Sequence, residues 1–357
     1  MATTGYSVNN NLTNKLWAKK LNVEVLKDAY ISKFIGKGAD SLVQYREDTN
    51  KDKGDRIRNG LRMQLTGAGV LEDNTLEGQE EQLITYSDDL LINQLRHAVR
   101  SDGKMSEQRV LFDLRTEAKA GLKDWWTDRL DTMFFNQVCG YTVQTDLRYT
   151  GMNTPTAPDS NHIMRAGNVS ADESITGTAS VMSLSFIDYC VERAKTLTPA
   201  IRPIKTELGD YYVMFVHPYQ ATDLRTNTNT GQWLDIQKAA MTGGQTTKNP
   251  IFTGALGVYN NTILHESARV TNGVNSSTGA AVTTVRRAVF AGAQAACIAF
   301  GGEDGPDTMS WTEETFDYGN QLGVAVGAIL GMKKSVYNST DFATIVCSTY
   351  AAQHNPS

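Results

Sequence analysis

From Val110 to Val138 apolar residues recur at three- and four-residue steps: Val110, Leu111, Leu114, Ala118, Leu122, Trp125, Trp126, Leu130, Met133, Phe134 and Val138. Asp113, Arg115, Glu117, Lys119, Lys123, Asp124, Asp128 and Arg129 fill the positions between them. That period lays one apolar stripe along one face of an α-helix. Ser106 is placed as the N-cap, with Glu107 in the first turn, where an acid suits the helix dipole. Cys139-Gly140 supplies the C-terminal stop. The spacing predicts a helix over 106–138, about 32 residues and about 48 Å long at 1.5 Å per residue. Helices in globular proteins average about 10–14 residues. A helix this long is a strut, and the rest of the chain must be built along it.

The segment ahead of the strut reads as extended. Ile57, Leu61, Met63 and Leu65 fall on one face of a strand, and Arg56, Arg58, Arg62 and Gln64 on the other. Thr66-Gly67-Ala68-Gly69 is turn chemistry. A return segment runs from Leu83-Ile84-Thr85-Tyr86 to Leu91 and Leu95. Two strands alone are marginal in water, so this excursion must lean on something outside itself. Its charge is divided. Residues 45–62 carry six basic and four acidic groups, whereas residues 63–95 hold seven acids and no Lys or Arg. Surface charge placed for solubility alone would account for this. So would a surface meeting its opposite sign on a neighbouring copy, where complementarity sets register and encounter rate. On the second reading the inter-subunit contacts are Arg46, Arg56, Arg58, Arg62, Glu72, Glu77, Glu80, Glu81 and Asp88.

Residues 1–45 are Asn-rich and then basic, with Lys15, Lys19, Lys20, Lys27, Lys33 and Lys37 against Glu24, Asp28 and Asp40. Leu16, Trp17, Leu21, Val23, Val25 and Leu26 give this stretch enough apolar surface to dock, but too little for its own core; it reads as an arm. Residues 141–180 are loop-like. A second amphipathic helix begins near Ser183 or Ser185, with Phe186, Ile187, Cys190, Val191 and Ala194 on one face. A strand over 211–216, a short helix opened by Pro218 and a helical stretch near Trp233 to Met241 follow. The last third is β with turns. This is an α+β pattern, not the alternation of a parallel α/β fold.

At 357 residues and 40% hydrophobic, the chain has room for two or three domains with real cores. Its longest nearly apolar run, Leu322 to Met332, is about half a bilayer span and is interrupted by Gly323, Gly327 and Gly331. No secretory h-region is read in the first residues. Cys139, Cys190, Cys297 and Cys347 lie too far apart for a metal or redox motif and are expected as buried thiols made in a reducing cytoplasm.

No catalytic constellation is found. His265-Glu266-Ser267-Ala268-Arg269 has Arg269 where a zincin needs its second His. Gly36-Lys37-Gly38 lacks the spacing of a phosphate loop. His97, His162, His217, His265 and His354 are scattered. Glu303, Asp304, Asp307, Glu313 and Glu314 cluster without EF-hand spacing. The expectation is no catalytic site, no metal and no cofactor. The net charge of −5 also argues against sequence-reading nucleic-acid recognition. A shell that merely encloses nucleic acid needs no basic groove.

The order of parts, together with local motifs, resembles the major capsid proteins of tailed bacteriophages with the Hong Kong 97-type fold, and within them the N4-like family. The motifs are Leu65-Thr66-Gly67-Ala68-Gly69-Val70, Thr75-Leu76-Glu77-Gly78-Gln79-Glu80-Glu81, Tyr86-Ser87-Asp88, Gln94-Leu95-Arg96-His97-Ala98-Val99 and Met105-Ser106-Glu107-Gln108-Arg109. Looser matches are Val213 to Pro218, Gly257-Val258-Tyr259, Val289 to Gly292, Asp317-Tyr318-Gly319-Asn320 and Gly331 to Lys334. The ordered set, not any single motif, carries the resemblance.

The resemblance implies an N-arm over 1–45, an extended E-loop over 46–104 and a peripheral domain over 105–175 with its spine helix over 106–138. An axial domain over 176–300 and peripheral return strands over 301–357 complete it. It also implies hexamers and pentamers of an icosahedral shell around double-stranded DNA, assembled in the host cytoplasm with a scaffolding protein and a portal, and open to a decoration protein. No membrane is involved. Covalent cross-linking would use Lys51 or Lys53. The alternatives are an encapsulin-type shell around cargo protein, a hydrolase using paired carboxylates such as Glu313 and Asp317, and a phage tail or decoration protein.

Overall fold

The computed structural model describes residues 29–46, 54–109, 114–206, 209–227, 257–302 and 310–354. The chain opens with β1 (Ile35–Gly36), β2 (Val43–Arg46), β3 (Arg56–Arg62), β4 (Thr85–Leu91) and β5 (Asn93–Arg100), then helices α1 (Lys104–Gln108) and α2 (Leu114–Val138). Next come β6 (Ile163–Arg165), α3 (Leu184–Thr196), β7 (Ile204–Thr206), β8 (Gly209–Val216) and α4 (Pro218–Thr226). The final third holds β9 (Gly257–Tyr259), β10 (Thr262–Glu266), β11 (Asn272–Val274), β12 (Ala281–Ala291) and β13 (Ala296–Phe300). It ends with β14 (Ser310–Phe316), β15 (Gln321–Lys334), β16 (Val336–Tyr337), β17 (Thr340–Asp341) and β18 (Thr344–Tyr350).

Two sheets share one core. In the first, β15 is central: Leu330 pairs with Phe300 of β13 on one side and Asn93 of β5 on the other. β14 pairs with the earlier half of β15, and β2 and β1 extend the sheet beyond β13. The second sheet runs β6-β18-β12-β8-β10-β9, with β11 added to β12 and β7 to β8. Most pairs are antiparallel and the helices do not alternate with parallel strands, as the α+β reading expects.

The glycines that interrupt β15 have a packing reason. They recur every fourth residue, on one face of the strand. A Cβ on Gly323 would meet the Phe316 ring, one on Gly327 the Arg96 stem, and one on Gly331 would lie 2.1 Å from the Leu91 carbonyl oxygen. Each is where a neighbouring segment comes too close for any side chain.

The strut's C-terminal part is as its period predicts. Leu122, Trp126, Leu130, Met133, Phe134 and Val138 are buried. Gly140 follows with φ +59, and Thr156 O lies 2.7 Å from where its Cβ would be. The N-terminal part differs. Ser106 lies inside the short helix α1, which follows Gly103 at φ +133, and it caps nothing. A Cβ on Gly103 would meet the Asn320 side chain, so the chain turns there on a residue that only glycine suits. The long helix is described from Leu114, over 25 residues; residues 110–113 lie outside the described ones. Asp131 of α2 accepts the Tyr30 and Ile31 N–H groups at 3.2 and 3.1 Å, which ties the start of the described chain to the strut.

Two further helices start where the sequence marks them. Ser183 Oγ accepts Phe186 N–H ahead of α3. His217 caps α4, with Nδ1 accepting Tyr219 N–H while Gln220 Oε1 accepts His217 N–H. The stretch near Trp233 to Met241 lies outside the described residues, as do residues 1–28.

The 141–180 loop is a fastener between sheets. Asn153 Nδ2 donates to Leu91 O, Gly151 O and Met332 O at 3.0–3.1 Å, and its Oδ1 accepts Leu91 N–H. Asp172, with its side chain fully buried, accepts from Arg165 Nε at 2.9 Å, Arg287 Nε at 2.8 Å and Val274 N at 3.1 Å. Burial would raise the Asp172 carboxyl, but Arg287, the Val274 N–H and Arg165 outweigh it and hold it below its ordinary value.

Candidate assembly surface

The β3–β4 hairpin has a docked root and a free outer half. Ile57 and Leu90 pack with Ile92, Cys297 and Ala299 against the first sheet. Lys333 Nζ reaches Asp88 Oδ1 at 2.5 Å and Asp89 O at 3.0 Å. The strand register runs Arg56↔Leu91 to Arg62↔Thr85, and its burial alternates as the sequence predicts. Gly331→Ala should loosen this root, because the added methyl must displace the Leu91 backbone; about 2–3 kcal/mol is the expected cost. Thermal unfolding with limited proteolysis would show a lowered midpoint and early cleavage within 56–91, and unchanged values would reject the account.

Beyond Arg62 the pairing ends with Met63 N donating to Ile84 O. The connecting loop then exposes Leu65, Leu71, Leu76, Leu83 and Ile84, all at half or more of their full accessible surface and Leu71 at 78%. Isolated exposed aliphatics are ordinary, but five on one loop of a folded chain make that loop a candidate contact surface. The loop has a defined shape. The Glu81 carboxylate accepts Thr66 N–H at 2.8 Å and Gly67 N–H at 2.7 Å, and these N–H groups pull it below the ordinary carboxylate value. Glu80 Oε2 accepts Gly78 N–H.

The residues expected to meet a neighbour divide into two groups. Arg58 Nε lies 2.8 Å and Arg56 Nη1 3.3 Å from the Asp89 carboxylate across the hairpin. Asp88, Glu80 and Glu81 also have partners within the chain. Arg62, Glu72 and Glu77 are exposed on the outer half, and Arg46 ends β2 at partial burial. Sequence reasoning missed the leucines of the loop as a set. Their spacing has neither a strand nor a helix period, and an unperiodic Leu in a polar run is easily passed over.

The groups considered for chemistry have structural work. Glu313 is buried, with Arg115 Nη2 at 2.7 Å and the Trp311 indole N–H at 3.0 Å, while Asp317 accepts from Asn320 in a turn. His97 stacks on Trp125 at 4.6 Å, His162 lies 2.8 Å from Asp159, and His354 lies 2.9 Å from Asp223. All four cysteines are buried free thiols. Among the described residues no group of His, Cys, Asp and Glu could hold a metal, and no helix is long and apolar enough to cross a membrane. Glu303, Asp304, Asp307, Lys51 and Lys53 lie outside the described residues.

A two-sheet body with a long strut and an apolar excursion is the form of a subunit made for a shell, and the comparisons agree. A model of the phage capsid protein family matches residues 5–353. The capsid of Ralstonia phage GP4 is similar at 34% identity and a TM-score of 0.78, with 100% of each chain covered. The major capsid protein of Pseudomonas phage KPP25 is 27% identical over 366 residues, covering 94% of this chain and 95% of that protein. The capsid of cyanophage Pam1, at 20% identity and a TM-score of 0.70 over 99% of this chain and 100% of that one, shares the fold. The class is thus a structural protein of the phage head. The chain belongs to the phage major capsid protein family, and its place is in the virion.

Proposed function

We propose that this chain self-assembles into the hexamers and pentamers of an icosahedral shell that encloses double-stranded DNA without reading its sequence. The five exposed aliphatic side chains of the 63–84 loop carry the reading, since a subunit that leaves them in water gains by covering them with a neighbour. Many weak contacts repeated by symmetry then add without any one being tight. In Hong Kong 97-type, N4-like terms, 46–104 is the E-loop, 106–138 the spine region and 176–300 the axial domain. The arm over 1–45 and the return strands over 301–357 complete the subunit. A scaffolding protein and a portal are its partners during assembly in the host cytoplasm, and a decoration protein fits the same scheme. The exposed Arg62, Glu72 and Glu77 face neighbouring copies on this reading, and Arg46 is assigned to the same contacts.

The test is electron microscopy of the expressed chain, alone and with its scaffold, alongside the variant Leu71→Ser/Leu76→Ser/Leu83→Ser. Wild type should give capsomers or shells. The variant should unfold at the same temperature, because its side chains touch water in the free subunit, yet give no shells. Shells of normal yield from the variant would remove the loop from assembly.

A further inference from the structure

The turn joining β14 to β15 is built against local preference. Asp317, Tyr318 and Gly319 all take left-handed backbone, with φ of 51°, 52° and 82°. Glycine accepts that freely, Asp tolerates it, and a bulky aromatic does not. Tyr318 gains nothing for it within its own chain: at 109% relative exposure it is the most exposed large apolar side chain among the described residues. Other groups hold the turn. Gly319 N donates to Phe316 O, Asn320 N to Asp317 O, and Lys104 N to Asn320 Oδ1. The Arg100 guanidinium lies 4.2 Å over the Phe316 ring. Tyr318 therefore projects from a braced tip. A strained, firmly mounted aromatic without a partner has the character of an interface anchor.

The same chain carries a seat of matching size. A half-open cavity of about 150 Å³ lies where the loop end of the β3–β4 ladder meets Pro199 and the β16–β17 turn; Leu61, Met63, Pro199 and Phe342 give it apolar wall, and Asn338, Thr340 and Asp341 also line it. A cavity of about that volume has room for one benzene-sized ring. The amide of Asn338 and the hydroxyl of Thr340 supply partners for a phenol oxygen. Being fully exposed, Tyr318 does not occupy the cavity of its own chain.

We propose that Tyr318 of one copy seats in this cavity of a neighbouring copy. The contact joins two different surfaces, so it closes into a ring or continues from subunit to subunit. It rests on the assembly reading and deepens it. Leu61 and Met63 lead directly into the loop with the exposed leucines, which makes the seat continuous with the surface already assigned to neighbours.

Two variants of the full chain test it. Tyr318→Gly suits the left-handed turn, so the unassembled protein should unfold at the same or a higher temperature. The concentration at which shells appear should rise about tenfold or more. Tyr318→Phe should assemble nearly as wild type. In Tyr318→Cys/Asn338→Cys, shells treated with oxidised glutathione should give dimers and higher ladders on a non-reducing gel, and each single variant should give monomers. Normal assembly of Tyr318→Gly, or intact double-variant shells without interchain bonds, would overturn the contact while leaving the assembly reading in place. Wild-type protein that forms neither capsomers nor shells would take both down.

Discussion

Replacing Asp172 by alanine is expected to destabilise the unassembled protein by about 3–5 kcal/mol, the usual cost of removing one partner of a buried ion pair. The residue joins the nearby Arg165 on β6 to two strands more than 100 residues away, through Arg287 on β12 and the Val274 N–H on β11. Arg287 is 4% exposed and also donates to the Gly140 carbonyl at the end of the strut at 2.9 Å. Without Asp172 its charge has no counterion within the core, and hydration cannot replace one. Asp172→Asn separates the contributions, because the amide oxygen can still accept Val274 N–H while the charge is gone; it should fall between wild type and alanine. Arg165→Ala should cost less, since that side chain is 20% exposed and reaches water. Denaturant unfolding measures all three. A loss below about 1 kcal/mol for Asp172→Ala would mean the cluster is not what joins loop and sheet.

What could be read from the sequence follows from how far each interaction reaches. Ser183 caps α3 and Pro218 opens α4 through partners within a few residues, and the 56–62 alternation marks a strand whose partner is the next extended segment of the chain. Ser106 misled because the local pattern of a cap is only a preference. It was overruled by Gly103, whose turn is set by Asn320, more than 200 residues away. The 141–180 loop was illegible for the same reason. Asn153 and Asp172 look like ordinary loop residues until the fold brings Met332 and Arg287 to them. The hairpin's charge was legible as a division but not as a pairing. Arg56 and Arg58 find Asp89 across the hairpin, which a register of Arg56↔Leu91 decides and a sequence count does not. The proposed assembly surface was least visible because it is defined by what the subunit fails to bury. Exposure of Leu71 or Tyr318 cannot be known before everything else has been placed.

Acid should weaken the subunit through two histidines before any carboxylate in the Asp172 cluster is protonated. His217 uses the Nδ1 lone pair to cap α4, and burial with Arg286 nearby lowers its pKa to about 4. His265 lies 5.1 Å from the Phe34 ring and 6.1 Å from the Tyr30 and Phe215 rings, and burial together with Lys33 also lowers it to about 4. Both are neutral at pH 7 in either state and contribute nothing there. As pH falls below 6.5 the unfolded chain takes up protons that the folded chain refuses. Stability therefore declines down to about pH 4 and these two groups add no further loss below it, at up to about 3 kcal/mol each. Asp131, Asp223 and Asp341, each raised by burial, act the opposite way. The folded state binds their protons first, which offsets part of the loss near the foot of the window. Asp172, held low, gives up its contribution only at lower pH. His217→Asn keeps a cap acceptor that does not titrate, and His265→Phe keeps an aromatic ring in the same cluster. Urea unfolding of the unassembled protein between about pH 7 and pH 4.5 should show a steep fall in stability for wild type and a much shallower one for the double variant. Equal slopes would place the acid sensitivity elsewhere in the chain.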